Sequence, residues 1–210
     1  MIKRIATAAL LAALAIALVP QAALAQNDTP GGASRVRVFG GFSYLRFSAP
    51  GNGEIPDLDE NTYGLQGNLV YYFHERVGFM VDGAFNTGNL LPDDPANVPD
   101  GVTGADLTQT TLLFGPSFVL TDSDRFTAQA YGAIGWAIAS IDVVGVSENE
   151  VPIFDRLDRT VFAASFGANV DIMLGDGGWG IRPAQVEVLV SAFDETLTNF
   201  RYSAGIVGTF

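Results

Sequence analysis

The chain has 210 residues, enough for one or two domains, and 48% of them are hydrophobic while only 16% are charged. It contains no cysteine, which excludes a disulfide scaffold, a cysteine-ligated metal site and a lipid anchor attached through cysteine. The formal net charge of −12 argues against a nucleic-acid-binding protein. A chain that is both strongly acidic and rich in hydrophobic residues is expected if much of its apolar surface faces lipid.

The N-terminus is a predicted export signal. A short basic start, Met1–Arg4, precedes an apolar run from Ile5 to Val19, and Ala23-Leu24-Ala25 is the pattern after which a signal peptidase cleaves. The run has about 15 apolar residues and is shorter than the roughly 20 that a membrane-spanning helix needs. We therefore predict three parts: a signal peptide at 1–25, a mature N-terminal segment at 26–34 and one domain at 35–210.

From residue 35 onward, apolar residues recur at every second position, which is the period of a half-buried strand. The alternation is cleanest near Phe162 and Phe166, whose opposite face carries small or polar residues such as Ser165, Asn169 and Asp171. No segment shows the 3.6-residue period of an amphipathic helix. We predict eight strands, in chain order at 35–48, 62–73, 77–88, 107–120, 126–138, 160–174, 181–192 and 200–210.

The connections between these segments alternate between long and short. Residues 49–61, 89–106 and 142–158 are long connections, whereas 74–76, 121–125 and 175–178 are short. Membrane barrels of the outer-membrane type have this rhythm, with extended outer loops and short periplasmic turns. The sequence therefore predicts an all-β fold, an eight-stranded antiparallel up-and-down transmembrane β-barrel with both termini on the short-turn side.

The size of the side chains on the two faces of each strand indicates which face points outward. The lumen of an eight-stranded barrel is narrow, so small and polar residues suit it, whereas the apolar faces are too bulky. Phe162, Phe166, Val186 and Val188 should therefore contact lipid, with aromatic girdles near both strand ends. Pro116 and Pro183 interrupt two strands near the short-turn rim, where a bulge would accommodate them.

Five charged residues are predicted to lie in the lumen: Arg37, Asp82, Asp171, Glu187 and Arg201. Segments seven and eight are antiparallel neighbours, so Glu187 and Arg201 can pair. An unpaired charge in such a confined interior would be costly, so each should have a partner. We predict a structural plug of ion pairs and hydrogen bonds, and the alternative is a gate in a narrow ion path.

The sequence gives no support for an enzyme or a metal site. Acidic residues crowd the long loops, but no run has the ligand spacing of an EF-hand, which favours a solvated loop surface over a Ca²⁺ site. Barrel lipid A deacylases and barrel proteases rely on a histidine near the outer rim, whereas the one histidine here, His74, lies in a predicted periplasmic turn. We expect no catalytic residues, no cofactor and no metal.

Several strands resemble a known family. The segments Val38–Arg46, Leu112–Phe118 and Ile181–Gln185 are similar to signature strands of small OmpA-like outer-membrane β-barrel proteins of the porin superfamily. The last strand has Tyr202, Ile206 and a terminal Phe210 on its apolar face, and it resembles the signal by which outer-membrane barrels are recognised for assembly. The resemblance covers nearly all of 35–210 and implies an eight-stranded membrane barrel.

We expect an integral protein of a Gram-negative-type outer membrane with a structural role in the envelope, or a surface-interaction role through acidic extracellular loops. Its partners would be outer-membrane lipid, lipopolysaccharide and the barrel-assembly machinery, without nucleic acid, and the barrel would be a monomer. One alternative is a small porin or ion channel gated by the lumen charges. Another is a soluble periplasmic lipocalin-like carrier, which would need its apolar faces turned inward.

Overall fold

A computed structural model describes residues 35–49, 58–90, 102–123, 125–146, 152–175, 178–192 and 196–210. These residues form eight strands: β1 (Val36–Ala49), β2 (Leu58–His74), β3 (Val77–Asn89), β4 (Val102–Asp122), β5 (Phe126–Val146), β6 (Pro152–Met173), β7 (Trp179–Ala192) and β8 (Thr196–Thr209). In this part of the chain, no helix has the length and apolar character needed to cross a membrane. The predicted signal peptide, the segment 26–34 and most acidic loop residues lie outside the described residues.

The strands form a closed antiparallel barrel. Each strand pairs with the next along the chain, and β8 pairs with β1 to complete the circle, which confirms the predicted fold. The backbones of Val36 and Phe210 exchange two hydrogen bonds, of 3.0 and 2.8 Å, so both ends of the barrel domain lie beside the short turns. We call this rim the turn end and the opposite rim the loop end.

Five strands extend past their predicted limits at the loop end, β2 and β8 by four residues and β4, β5 and β6 by more. β4, β5 and β6 have 21, 21 and 22 residues, whereas the other strands have 13 to 17. The extra residues lie at the loop end, where β5 and β6 pair as far as Val146 and Pro152. In these extra residues the outward positions include polar side chains such as Asp106, Asp142 and Asp158. The alternation of apolar residues therefore stops before the strands end, and the sequence pattern did not reveal the extensions.

The apolar strand faces form the outer surface, as predicted. Phe162 and Phe166 are 53% and 67% exposed, and Val186 and Val188 are each 41% exposed. This orientation excludes the lipocalin-like carrier, whose apolar residues would line an interior. Exposed aromatic side chains form bands near both rims, and on β2 about nine residues span from Tyr63 in one band to Tyr71 in the other, enough for a tilted strand to cross hydrocarbon.

The lumen is filled by larger side chains than the sequence suggested. Besides polar residues, it contains the almost fully buried Phe39, Leu45, Met80, Leu113 and Leu189. Small and polar residues line the interior as expected, but large apolar side chains lie there as well. An eight-stranded barrel has an interior just wide enough for side chains to fill, and these apolar residues pack in the space between the polar groups.

The two strand prolines behave differently. The pairing of β7 with β8 shifts between Arg182 and Gln185, so Pro183 lies in the predicted bulge. Pro116 lies opposite Phe79 within a continuous β3–β4 register, and on the other side of β4 the pairing with β5 shifts a few residues away, between Val119 and Thr121. A proline on the outer face can end or interrupt individual ladder hydrogen bonds without shifting the strand.

Candidate functional site

The described part of the lumen holds six buried charged side chains, contributed by β1, β3, β6, β7 and β8. Three are arginines and three are carboxylates, so their formal charges cancel. They form two groups. The turn-end cluster consists of Arg37, Asp171 and Arg182, and the central cluster consists of Asp82, Glu187 and Arg201.

Asp171 is the centre of the turn-end cluster. Its carboxylate accepts hydrogen bonds from Arg182 Nε at 2.6 Å and from Arg182 Nη2 at 3.1 Å, a two-point contact that fixes the geometry of both groups. The Nη1 atom of Arg37 lies 3.3 Å from the same carboxylate. Arg182 Nη1 also donates to Gln185 Oε1 at 2.6 Å, which ties the cluster to the next inward residue of β7.

Aromatic rings lie against both arginines of the turn-end cluster. The guanidinium carbon of Arg182 lies 4.4 Å from the centre of the Phe39 ring, and that of Arg37 lies 5.7 Å from the centre of the Tyr72 ring. One carboxylate faces two cations in this cluster, so an excess positive charge is buried. The negative faces of the rings stabilise that excess through cation–π interactions.

The central cluster has the opposite imbalance. Arg201 Nη1 lies 3.3 Å from Glu187 Oε1 and 3.6 Å from Asp82 Oδ1, so one cation is shared by two carboxylates. Neutral donors stabilise the extra negative charge: Gln66 donates to Asp82 at 2.8 Å, and the Tyr131 hydroxyl donates to Glu187 at 3.0 Å. Side chains of all eight strands take part in the two clusters and their hydrogen-bond partners.

The structure places all five lumen charges that the sequence predicts inside the barrel, and it brings Glu187 and Arg201 together. The sequence missed Arg182. Gln185 and Glu187 point inward, so strict alternation along β7 would place Arg182 on the outer face. The bulge at Pro183 inserts one extra residue into the alternation, and Arg182 therefore points inward. Pro183 was the available signal, because a proline inside a strand indicates a break in alternation.

Two residues of the predicted assembly signal, Tyr202 and Ile206, lie on β8, and the third, Phe210, directly follows this strand. The Tyr202 hydroxyl donates to the carbonyl oxygen of Pro183 at 2.6 Å, and the ring of Phe210 meets that of Trp179 edge to face at 5.7 Å. Ile206 is exposed between them. Their recognition by the assembly machinery stays a prediction.

His74 ends β2 at the turn end, exposed, with its Nδ1 accepting a hydrogen bond from the backbone N–H of Arg76 at 3.4 Å. Among the described residues, no group of three or more histidines and acidic residues is arranged to bind a metal.

Comparison with known proteins agrees with this geometry. No protein-family model matches the sequence, and no curated protein matches it. The crystal structure of the attachment invasion locus protein Ail of Yersinia pestis matches with a TM-score of 0.58 at 14% identity, over 85% of this chain and 100% of that one. Neisserial surface protein A matches with a TM-score of 0.54 at 11% identity, over 85% of this chain and 99% of that one. The chain shares the fold of small OmpA-like outer-membrane β-barrels.

Proposed function

We propose that the mature chain is an integral outer-membrane protein that is exported by a cleaved signal at 1–25 and spans the membrane as a monomer. The observation that carries this proposal is the orientation of the strand faces. An outer belt of exposed apolar side chains surrounds an interior of buried ion pairs. A soluble protein of this size would expose that belt to water, whereas a bilayer covers it.

We propose a structural or surface-interaction role rather than transport or catalysis. The two charge clusters cross-link strands that are far apart in sequence, and packed apolar side chains fill the space around them. This arrangement supports a closed plug that strengthens the barrel. Function would then reside in the connections at the loop end, whose sequences are rich in acidic residues.

The acidity of the loops suggests which partners they would accept. One matching crystal structure is that of Ail in complex with sucrose octasulfate, a heparin analogue. A polyanion of that kind would be repelled by the loops of the present chain. We therefore propose cationic partners, or contact with anionic lipopolysaccharide through bridging divalent cations.

Fractionation with heat-modifiable gel mobility tests the membrane assignment. We expect the protein in the outer-membrane fraction and a shift in mobility on boiling, because small barrels keep their fold in cold detergent. Recovery from the soluble periplasm without detergent would refute the assignment. Pull-down with loop-deleted variants tests the role of the loops, and undiminished binding after deletion would remove them from the proposal.

A small ion channel is the second candidate, and one observation favours it. Arg201 lies between Asp82 and Glu187 at similar distances, so a small movement could exchange one partner for the other. If the cluster is a gate, the Glu187→Gln variant should change single-channel conductance in planar bilayers. A current that this substitution leaves unchanged, or the absence of any current in both proteins, would count against the channel.

A further inference from the structure

Pro183 is the one residue of β7 without a register partner on either neighbouring strand. Toward β8 the pairing passes from Arg182 directly to Gln185, and toward β6 it passes from Ile181 directly to Ala184. Both neighbouring strands therefore meet one extra residue at the same place in β7, which defines a bulge. Pro183 is left out of both ladders, and it has no N–H of its own to contribute to them.

The bulge lies where the chain faces hydrocarbon. Pro183 is exposed on the outer face of β7, four residues inward from Trp179, which belongs to the aromatic band at the turn end. Each residue advances a strand by about 3.3 Å, so the bulge lies about 13 Å from that band along the strand. Hydrocarbon contains no water that could bond a backbone carbonyl, and an unsatisfied group there is costly. The carbonyl of Pro183 therefore needs a donor from the protein.

Tyr202 supplies that donor from the lipid side of β8. Its hydroxyl donates a hydrogen bond to the carbonyl oxygen of Pro183 at 2.6 Å. The hydroxyl is itself a polar group that needs a partner in hydrocarbon, so one bond satisfies both groups. Tyr44 lies directly opposite Tyr202 on β1, but its hydroxyl donates to Asn61 at 2.5 Å. Of these two neighbouring tyrosines, Tyr202 is the one that is bonded to the bulge.

The same bulge determines the surroundings of Arg182. Without the extra residue, alternation from Gln185 would direct Arg182 outward into lipid, where a cation is unfavourable. With the extra residue, Arg182 is fully buried in the lumen and contacts Asp171 through Nε at 2.6 Å and Nη2 at 3.1 Å. Asp171 lies between Val170 and Ile172, at the step where the pairing of β6 crosses the bulge. The bulge and the turn-end cluster thus meet at one level of the barrel wall.

We propose that Tyr202 is a positioning residue that acts on the lumen from the lipid side: its bond to Pro183 holds the bulge and keeps Arg182 against Asp171. The inference rests on the proposed membrane-spanning structural role, and it names the residue that fixes the turn-end cluster in that role. Tyr202 then has a task in the finished barrel besides its predicted part in the assembly signal. Tyr202→Phe separates the two tasks, because it keeps the aromatic ring and removes only the hydroxyl.

Hydrogen exchange at Arg182 tests the positioning directly. In protein refolded from urea into lipid nanodiscs, without assembly machinery, NMR measures the exchange of the Arg182 Nε proton, which is bonded to Asp171. We expect Tyr202→Phe to accelerate this exchange at least about tenfold, because a bulge without the hydroxyl bond lets the guanidinium leave Asp171 more often. Tyr44→Phe is the matched control and should leave the rate unchanged. Equal rates in the wild-type and Tyr202→Phe proteins would overturn the proposal.

Urea unfolding in phospholipid vesicles gives an independent test. Tyr202→Phe should lower the folding equilibrium constant at least about fivefold when Arg182 is present. In an Arg182→Met background the bulge no longer keeps a charge away from lipid, so the same change should have less than about a twofold effect. An equal effect in both backgrounds would mean that the hydroxyl only satisfies a nearby carbonyl, and the proposal fails. If Arg182→Met does not fold, the exchange measurement decides alone.

This inference and the proposed function fail in different ways. If the protein is recovered from the soluble periplasm, the membrane assignment fails and the inference fails with it. If the protein is found in the outer-membrane fraction but Tyr202→Phe leaves the exchange at Arg182 unchanged, this inference alone is overturned.

Discussion

Replacing Asp171 with asparagine should destabilise the barrel far more than replacing Glu187 with glutamine. Each substitution removes one buried negative charge with almost no change in shape. Within the described lumen, Asp171 is the one carboxylate that contacts Arg37 and Arg182, so its loss leaves two guanidinium groups without a counter-charge. Glu187 shares Arg201 with Asp82, so its loss leaves a neutral pair.

The distances set the size of the effect. Arg182 Nε and Arg37 Nη1 lie 2.6 and 3.3 Å from the carboxylate of Asp171. At an effective dielectric constant of about 20, unit charges this close attract by about 5–6 kcal/mol, and the desolvation of both charges offsets part of that. Removing one partner of a buried pair costs about 3–5 kcal/mol, which we expect for Asp171→Asn. For Glu187→Gln we expect less than about 2 kcal/mol, because the substitution also relieves the repulsion by Asp82.

Urea unfolding in phospholipid vesicles, followed by tryptophan fluorescence, measures both free energies. Asp106→Asn is the control, since this exposed aspartate on β4 should change stability by no more than about 0.5 kcal/mol. Asp171→Asn combined with Arg182→Met should cost less than the two single substitutions together, because it removes both charges of one pair. If Glu187→Gln lowers the free energy of unfolding as much as Asp171→Asn does, the reasoning from the number of charges in each cluster is refuted.

Two further predictions concern barrel closure and the outer surface. Gly41→Ala should greatly reduce the fraction of protein that folds, because the added Cβ would collide with the backbone carbonyl of Ala204 where β1 meets β8. Gly40→Ala is the control: its Cβ would point into open space, so this variant should fold normally. Heat-modifiable gel mobility measures this fraction, and equal folding of the two variants would contradict the close approach. Phe166→Arg should cost about 2–4 kcal/mol in vesicles and Thr160→Arg, nearer the loop end, about 0–1 kcal/mol. Equal urea midpoints for these two variants would mean that Phe166 does not face hydrocarbon.

Much of the barrel could be read from alternation alone. A strand with one face on a filled lumen and the other on an apolar surface must change character at every residue, as the outward Phe166 and the inward Ser165 do. The ends of β4, β5 and β6 could not be read in this way, because they extend past the aromatic bands. There the outward positions carry Asp106, Asp142 and Asp158, and both faces are polar or mixed.

The candidate site shows where local pattern stops being informative. Arg182 was not among the predicted lumen charges, because a single bulge at Pro183 reverses the alternation of the side chains beyond it. Leu45 and Leu113 look suited to lipid, but they lie inside because the lumen has volume that small residues do not fill.

The sequence by itself therefore determined the number of strands, their antiparallel order and which face of each one points outward, since all three depend on contacts within a strand or with its neighbours. For strands that are not neighbours, tertiary structure alone decided which inward residues meet. Arg37 and Asp171 are 134 positions apart, and they touch because the strands are offset by a particular amount when the barrel closes. That offset depends on all eight registers together, so no single segment of the chain encodes it.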